Sequence, residues 1–167
     1  MSGPGRNGRT FWGAAVTVLL LDIVTKYFAE QNLTLHVPQQ VVGDLVRWTL
    51  AYNPGAAFSM SLGPASRWIF GGFAVVALVV LWQLHRSARP DERLKAVALG
   101  LAWGGAAGNL VDRVRSAAGV VDFIDIGVGS VRFWTFNVAD SGVSVGAVVL
   151  GIMLLREERR QKPAAGD

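Results

Sequence analysis

The sequence predicts a small, mainly helical membrane protein with a minor β component, and three observations carry that reading. Apolar residues gather in four blocks, each near the length that crosses a hydrocarbon core about 30 Å thick at about 1.5 Å per residue. Lys and Arg cluster in short segments flanking the blocks, where they read as topology signals and not as a nucleic-acid face. The segments between the first and second blocks, and between the third and fourth, contain two-residue alternation, the period of strands.

Averages decide less than distribution. A chain of 167 residues is one domain's worth, and 51% hydrophobic content is only slightly above that of a soluble domain. With Cys 0 there is no disulfide, thiolate nucleophile or Cys-ligated metal. The expectation is one polytopic domain over 1–167, with spanning helices at about 11–29, 66–84, 94–112 and 137–155 and outer segments at about 30–63 and 114–136.

The first block, Phe11 to about Tyr27, is interrupted by Thr17, Asp22, Thr25 and Lys26. A secretory signal is the rival reading, since Arg6 and Arg9 precede an apolar run. Asp22 and Lys26 argue against it, and no small-x-small cleavage site follows. At i, i+4 spacing those two share a helix face and form a structural ion pair, which lowers the cost of carrying Asp22 into the membrane. Snorkelling of Lys26 to the interface is the alternative.

Glu30 to Gly63 has too few consecutive apolar residues to span. Within it Val46 to Tyr52 alternates, with Val46, Trp48, Leu50 and Tyr52 on one face and Arg47, Thr49 and Ala51 on the other. Asn53-Pro54-Gly55 turns the chain, and Ala56-Ala57-Phe58 follows as a small-residue patch beside an aromatic. The second block, about Trp68 to Leu84, ends in a basic linker containing His85, Arg86, Arg89, Arg93 and Lys95. In the third, Gly100, Gly104 and Gly108 repeat every four residues, a face that admits another helix backbone. Its end places Asn109, Asp112 and Arg113 on one face. Val120 to Ile126 and Val131 to Phe136 read as strands about a Gly127/Gly129 turn. The fourth block, about Val138 to Leu155, has its own small face at Gly142 and Gly146 and closes with Arg156, Arg159, Arg160 and Lys162. The Lys and Arg count puts both termini in the cytoplasm, so the 30–63 segment and the 122–140 stretch share the outer face.

An ionisable group at the centre of a membrane helix costs roughly 2.5 to 3.5 kcal/mol on insertion scales, so carboxylates kept at membrane edges are functional candidates. Asp112 lies beside Arg113 and Arg115, which favours a structural ion pair. Asp140 has a structural explanation too, because Asn137 as N-cap puts it at the N3 position of a capping-box-like start. Asp122 sits in an apolar Val-Val-Asp-Phe-Ile run with no adjacent cation, and Asp125 alternates onto the opposite strand face. Asp140 follows Asp122 by 18 residues, a spacing compatible with a hairpin returning to the same membrane edge. Two carboxylates meeting there share one proton and form an acid-base dyad able to activate water against a peptide carbonyl. A proton or ion carrier remains the rival, although these carboxylates lie at an edge and not at the midplane. His36 and His85 fall on opposite sides of the membrane, and neither an HExxH nor a phosphate-binding Gly loop occurs.

Five stretches, taken in order, are together specific: Asp22-Ile-Val-Thr-Lys26, Tyr52-Asn53-Pro54-Gly55-Ala56-Ala57-Phe58, Gly104 through Asn109 to Asp112-Arg113, Val120-Val121-Asp122-Phe123, and Phe136-Asn137-Val138-Ala139-Asp140-Ser141. On these the chain resembles the lipoprotein signal peptidases, the bacterial type II signal peptidase family. The resemblance implies an aspartic endopeptidase with four transmembrane helices and a small extracytoplasmic β-sheet cradle, set in the bacterial cytoplasmic membrane. It implies cleavage before the diacylglyceryl-modified cysteine of a prolipoprotein, with Asp122 and Asp140 catalytic. Asn53, Asn109, Arg113 and Asn137 would shape the site, and Asp22, Lys26 and Asp112 would be structural polar positions. It implies no metal, organic cofactor or nucleic acid. The partners it implies are lipid-modified prolipoproteins, membrane phospholipid and cyclic lipopeptide inhibitors of the globomycin type. The departures are Pro54 within the Asn-x-Gly-Ala-Ala-Phe pattern and a Gly/Ser-rich start to the fourth helix; Pro54 stiffens its turn.

Overall fold

The computed structural model describes residues 5–55 and 63–161. Within them the order is α1 (Gly5–Asn32), β1 (Gln39–Val42), β2 (Val46–Asn53), α2 (Ser66–Ser87), α3 (Arg93–Arg115), β3 (Val120–Val128), β4 (Val131–Arg132) and α4 (Val138–Gln161). All four of these helices are long and apolar enough to cross a membrane. Ala56-Ala57-Phe58 lies outside the described residues.

Helix α3 is the axis of the bundle because its glycines let two other backbones touch it. A Cβ at Gly100 or Gly104 would run into the carbonyl oxygens of Phe11 and Ala15 in α1, and one at Gly105 into the carbonyl of Ala139 in α4. From the α4 side, Gly146 packs on the carbonyl of Ala98, and Gly142 on Val18 and the carbonyl of Leu101. Helix α2 is the least buried span; Trp68 and Phe73 stand exposed on it, as suits a lipid-facing surface.

At one end of the bundle the strands form an antiparallel sheet in the order β1-β2-β3-β4. The β2–β3 pairing joins the two outer segments and sets Ala51 opposite Asp122 and Asn53 opposite Val120. Leu50, Val121 and Phe123 pack with Ala29 of α1, seating the sheet on the helices.

Several local expectations change. Strand β1 was not anticipated, since four exposed residues at a sheet edge carry no burial alternation. The alternation in β2 is broken by a bulge between Trp48 and Ala51, so Leu50 is buried while Trp48 stays 47% exposed. The 131–136 strand shrinks to Val131–Arg132. Phe136 rejoins β3 through a bridge to Ile124, and the chain between them bows out, leaving Phe133 and Trp134 exposed. Helix α1 begins at Gly5 instead of near 11, and α4 continues to Gln161 instead of 155. Apolar length marks where lipid ends, whereas Glu157, Glu158 and Arg159 are good helix formers that carry the hydrogen-bond ladder further.

Candidate active site

Where the sheet meets the bundle, a chain of polar side chains runs through otherwise apolar packing. Lys26 is 1% exposed, which rules out snorkelling. Its ammonium lies 2.7 Å from Asp22 Oδ2 and 2.8 Å from Asp112 Oδ2, and donates to Asn109 Oδ1 at 2.9 Å. The two acids have further duties. Asp22 Oδ1 accepts the backbone N–H of Ala139 at 2.8 Å, tying α1 to the start of α4. Asp112 accepts Arg115 Nε at 2.8 Å and the backbone N–H of Val121 at 3.2 Å, fixing the strand residue just before Asp122.

Asn137 and Asp140 do form the reciprocal start of α4: the Asp140 N–H donates to Asn137 Oδ1 at 2.8 Å and the Asn137 N–H to Asp140 Oδ2 at 3.3 Å. The capping geometry and the candidate site are one arrangement. Capping uses one Asp140 oxygen, and the other accepts Asn109 Nδ2 at 2.7 Å. An anion there also faces the positive end of the helix dipole.

Asp122 is held differently. It is 4% exposed, on β3, and its Oδ1 accepts Asn137 Nδ2 at 2.7 Å while Oδ2 meets Asn53 Nδ2 at 3.4 Å. Burial, and after it the negative charge of Asp140, pushes its carboxyl up to about 7. Asn137 Nδ2 also reaches Asn109 Oδ1 at 3.1 Å, so one amide network connects both carboxylates. Arg113 donates to the carbonyls of Gly55 at 2.9 Å and Asn109 at 3.1 Å, and its charge acts on both acids.

Asn53, Asn109, Arg113, Asp122 and Asp140 line one cleft of about 770 Å³, whose mouth is formed by Phe133 and Trp134 and by Val143 and Val145 of α4. Polar groups converge at its floor and apolar ones at its opening. Asn137, Asp22, Lys26 and Asp112 are buried and lie outside the lining of the cleft. Asp125 is directed elsewhere, accepting from Thr49 Oγ1 at 3.1 Å and pairing with Arg132 at 2.5 Å. No group of three or more His, Asp or Glu side chains suited to a metal occurs among the described residues.

Sequence reasoning missed how the network is extended and braced. Arg115 bridges Asp112 to Glu30 at 2.9 Å, and Glu30 accepts the Tyr52 hydroxyl at 3.2 Å, linking α3, α1 and β2. Arg67 of α2 reaches the carbonyls of Arg113 and Val114, closing the C-terminus of α3. A basic residue within the last turn of α3 was the available signal for Arg115; nothing local marked Arg67.

Fold and site together define a multi-span membrane protein with a hydrogen-bonded carboxylate pair in a cleft at one edge of its bundle, the arrangement expected of an aspartic hydrolase. The family model described as signal peptidase (SPase) II matches residues 14–156, and the chain belongs to the signal peptidase II family, aspartic peptidases that cleave prolipoprotein signal peptides. It is 42% identical to the lipoprotein signal peptidase of Pseudomonas putida over 165 residues, 95% of each chain. It is 42% identical to that of Hydrogenovibrio crunogenus over 145 residues, 84% of this chain and 81% of that one. A bacterial membrane enzyme solved by the in meso method at 2.3 Å superposes with a TM-score of 0.82 at 29% identity, covering 95% of this chain and 94% of the other. A second, solved at 1.9 Å, gives 0.77 at 32% identity over 87% and 92%.

Proposed function

We propose that Asp122 and Asp140 are the dyad with which this chain, acting as a single polytopic domain, hydrolyses the peptide bond before the diacylglyceryl cysteine of a prolipoprotein. The observation that carries this is the joint suspension of the two carboxylates from Asn109 and Asn137 on the floor of one cleft. Their surroundings are unequal. Asp140 accepts two hydrogen bonds at the start of a helix, whereas Asp122 is buried and holds its proton near neutrality. Asp140 therefore takes a proton from water as the water oxygen bonds to the scissile carbonyl carbon, and Asp122 gives its proton to the carbonyl oxygen. The resulting gem-diol collapses. The C–N bond breaks, the leaving amine takes the proton from Asp140, and Asp122 recovers one from a diol hydroxyl. Arg113 holds the Gly55 carbonyl and with it the turn after β2 that borders the cleft.

The apolar mouth suits a lipid-bearing substrate arriving from the bilayer, with phospholipid around it, and a cyclic lipopeptide of the globomycin type would compete there. Basic flanks support cytoplasmic termini and a cleft on the outer face.

The test is cleavage of a diacylglyceryl-prolipoprotein by purified protein in detergent. Asp122→Asn and Asp140→Asn should lower kcat by about 10²–10⁴-fold with folding intact, while Asp125→Asn cleaves normally. An Asp122→Asn enzyme that turns over normally would sink the dyad. Binding without cleavage by the wild type would leave a signal-peptide binding protein.

A further inference from the structure

The buried cation of the network has a bond that neutralisation does not require. Asp22 and Asp112 both pair with Lys26, and Arg115 pairs with Asp112 and with Glu30. The third N–H of Lys26 goes to a neutral amide, Asn109 Oδ1, at 2.9 Å. A buried ion pair is weak evidence of stabilisation, since apolar side chains of similar size often serve as well. The third bond, by contrast, has a definite geometric consequence. An ammonium only donates, so the amide of Asn109 must turn its oxygen toward Lys26 and its nitrogen away. That nitrogen meets Asp140 Oδ1 at 2.7 Å. Asn137 is oriented by a neutral peptide N–H, that of Asp140, and serves Asp122. Of the two amides below the dyad, one is anchored by a full positive charge and the other is not.

We propose that Lys26 is a positioning residue for peptide hydrolysis: through Asn109 it aims a polarised N–H at Asp140 and holds that carboxylate in the orientation that receives the water proton. The inference rests on the peptidase reading above. The charged groups around Asp140 are Lys26 and Asp22 on α1, Asp112 and Arg113 on α3, and Asp122 on β3. Of the two cations, Lys26 reaches it through the side-chain amide of Asn109, whereas Arg113 meets Asn109 at its backbone carbonyl. Removing Lys26 leaves only the longer 3.1 Å bond from Asn137 Nδ2 to hold the Asn109 oxygen, so the N–H aimed at Asp140 is less firmly fixed.

The experiment is a double-mutant cycle of Lys26→Gln and Asn109→Ala, read by kcat and KM on a diacylglyceryl-prolipoprotein, with thermal melts of each enzyme. Lys26→Gln should lower kcat by about 10- to 100-fold while keeping KM within about twofold, a split that a general loss of folded enzyme would not produce. In the Asn109→Ala background the same change should alter kcat by less than about twofold, because the route is already cut. If Lys26→Gln does not melt cooperatively, Asp22→Asn/Lys26→Gln, which leaves the net charge of the cluster unchanged, is compared with Asp22→Asn in the same way. Multiplying effects, or a folded Lys26 variant with an unchanged kcat, would overturn the proposal. That result would leave the peptidase reading intact as long as wild type cleaves and Asp122→Asn does not.

Discussion

In the proposed mechanism, unequal environments for two chemically identical side chains set the direction of proton flow. With Asp122 pushed up to about 7 by burial and by Asp140, its proton is present below that pH and lost above it. As the acid of the pair, it should make kcat fall as pH rises through about 7. Stability should change in the same direction. The unfolded value is 3.8, so between there and about 7 the native protein holds a proton that the unfolded chain has released. Unfolding free energy then declines across that window and levels off above it. Thermal midpoints taken from about pH 5 to pH 8 should fall for wild type and fall less for Asp122→Asn; parallel curves would contradict the assignment. Asp122 was legible in the sequence because a lone carboxylate in an apolar run is chemically out of place. Asp140 was legible only as one of two alternatives, and the structure unites them, since capping engages one oxygen and leaves the other to Asn109. The third bond of Lys26 was not legible, because its acceptor lies 83 residues away and no local pattern encodes it.

At the scale of elements, the site depends on how closely α4 approaches α3. Gly105 faces the carbonyl of Ala139, the residue before Asp140, and a Cβ there would also lie 2.9 Å from Val143 Cγ2. Backbone cannot give way as a flexible side chain does, so Gly105→Ala should separate the helices and cost about 1–3 kcal/mol. Asn109 is one turn further along the same face, so its 2.7 Å bond to Asp140 should lengthen and kcat should drop together with the melting temperature. Gly72→Ala is the control: nothing lies within 4 Å of a Cβ there, and both quantities should stay near wild type. A Gly105→Ala enzyme with unchanged kcat would mean that this contact does not set the dyad. The small-residue faces of α3 and α4 were readable because a four-residue repeat of glycine has few other uses within a helix. Strands were read less well. The exposed edge strand β1 has no periodicity, and the bulge in β2 is imposed by its pairing with β3, a tertiary partner that local alternation cannot announce.

For the molecule as a whole, charge divides between two ends. The N-terminus of α1 and the α2–α3 linker lie together, joined by the 2.5 Å bond from Asn7 Nδ2 to the Arg89 carbonyl, and Leu150 of α4 packs on the neighbouring Phe11, Ala96 and Leu99 cluster. Arg86, Arg89, Arg93, Lys95, Arg156 and Arg159 concentrate there. At the sheet end Arg47, Arg115 and Arg132 are engaged by Asp44, by Glu30 and Asp112, and by Asp125. Arg113, Arg115 and Arg132 run against that division in the 110–136 stretch, and each has specific partners that explain its presence. Flanking Lys and Arg govern insertion, so the end without the sheet should stay in the cytoplasm. The absence of native cysteine makes this measurable with single introduced thiols. Gln40→Cys on exposed β1 should react with a membrane-impermeant maleimide added to spheroplasts, and Asp91→Cys in the linker only after the membrane is opened. The reverse pattern would put the cleft on the cytoplasmic side. A substrate whose signal peptide has already crossed the membrane would then be out of reach, so the labelling result bears on the proposed reaction as directly as on topology.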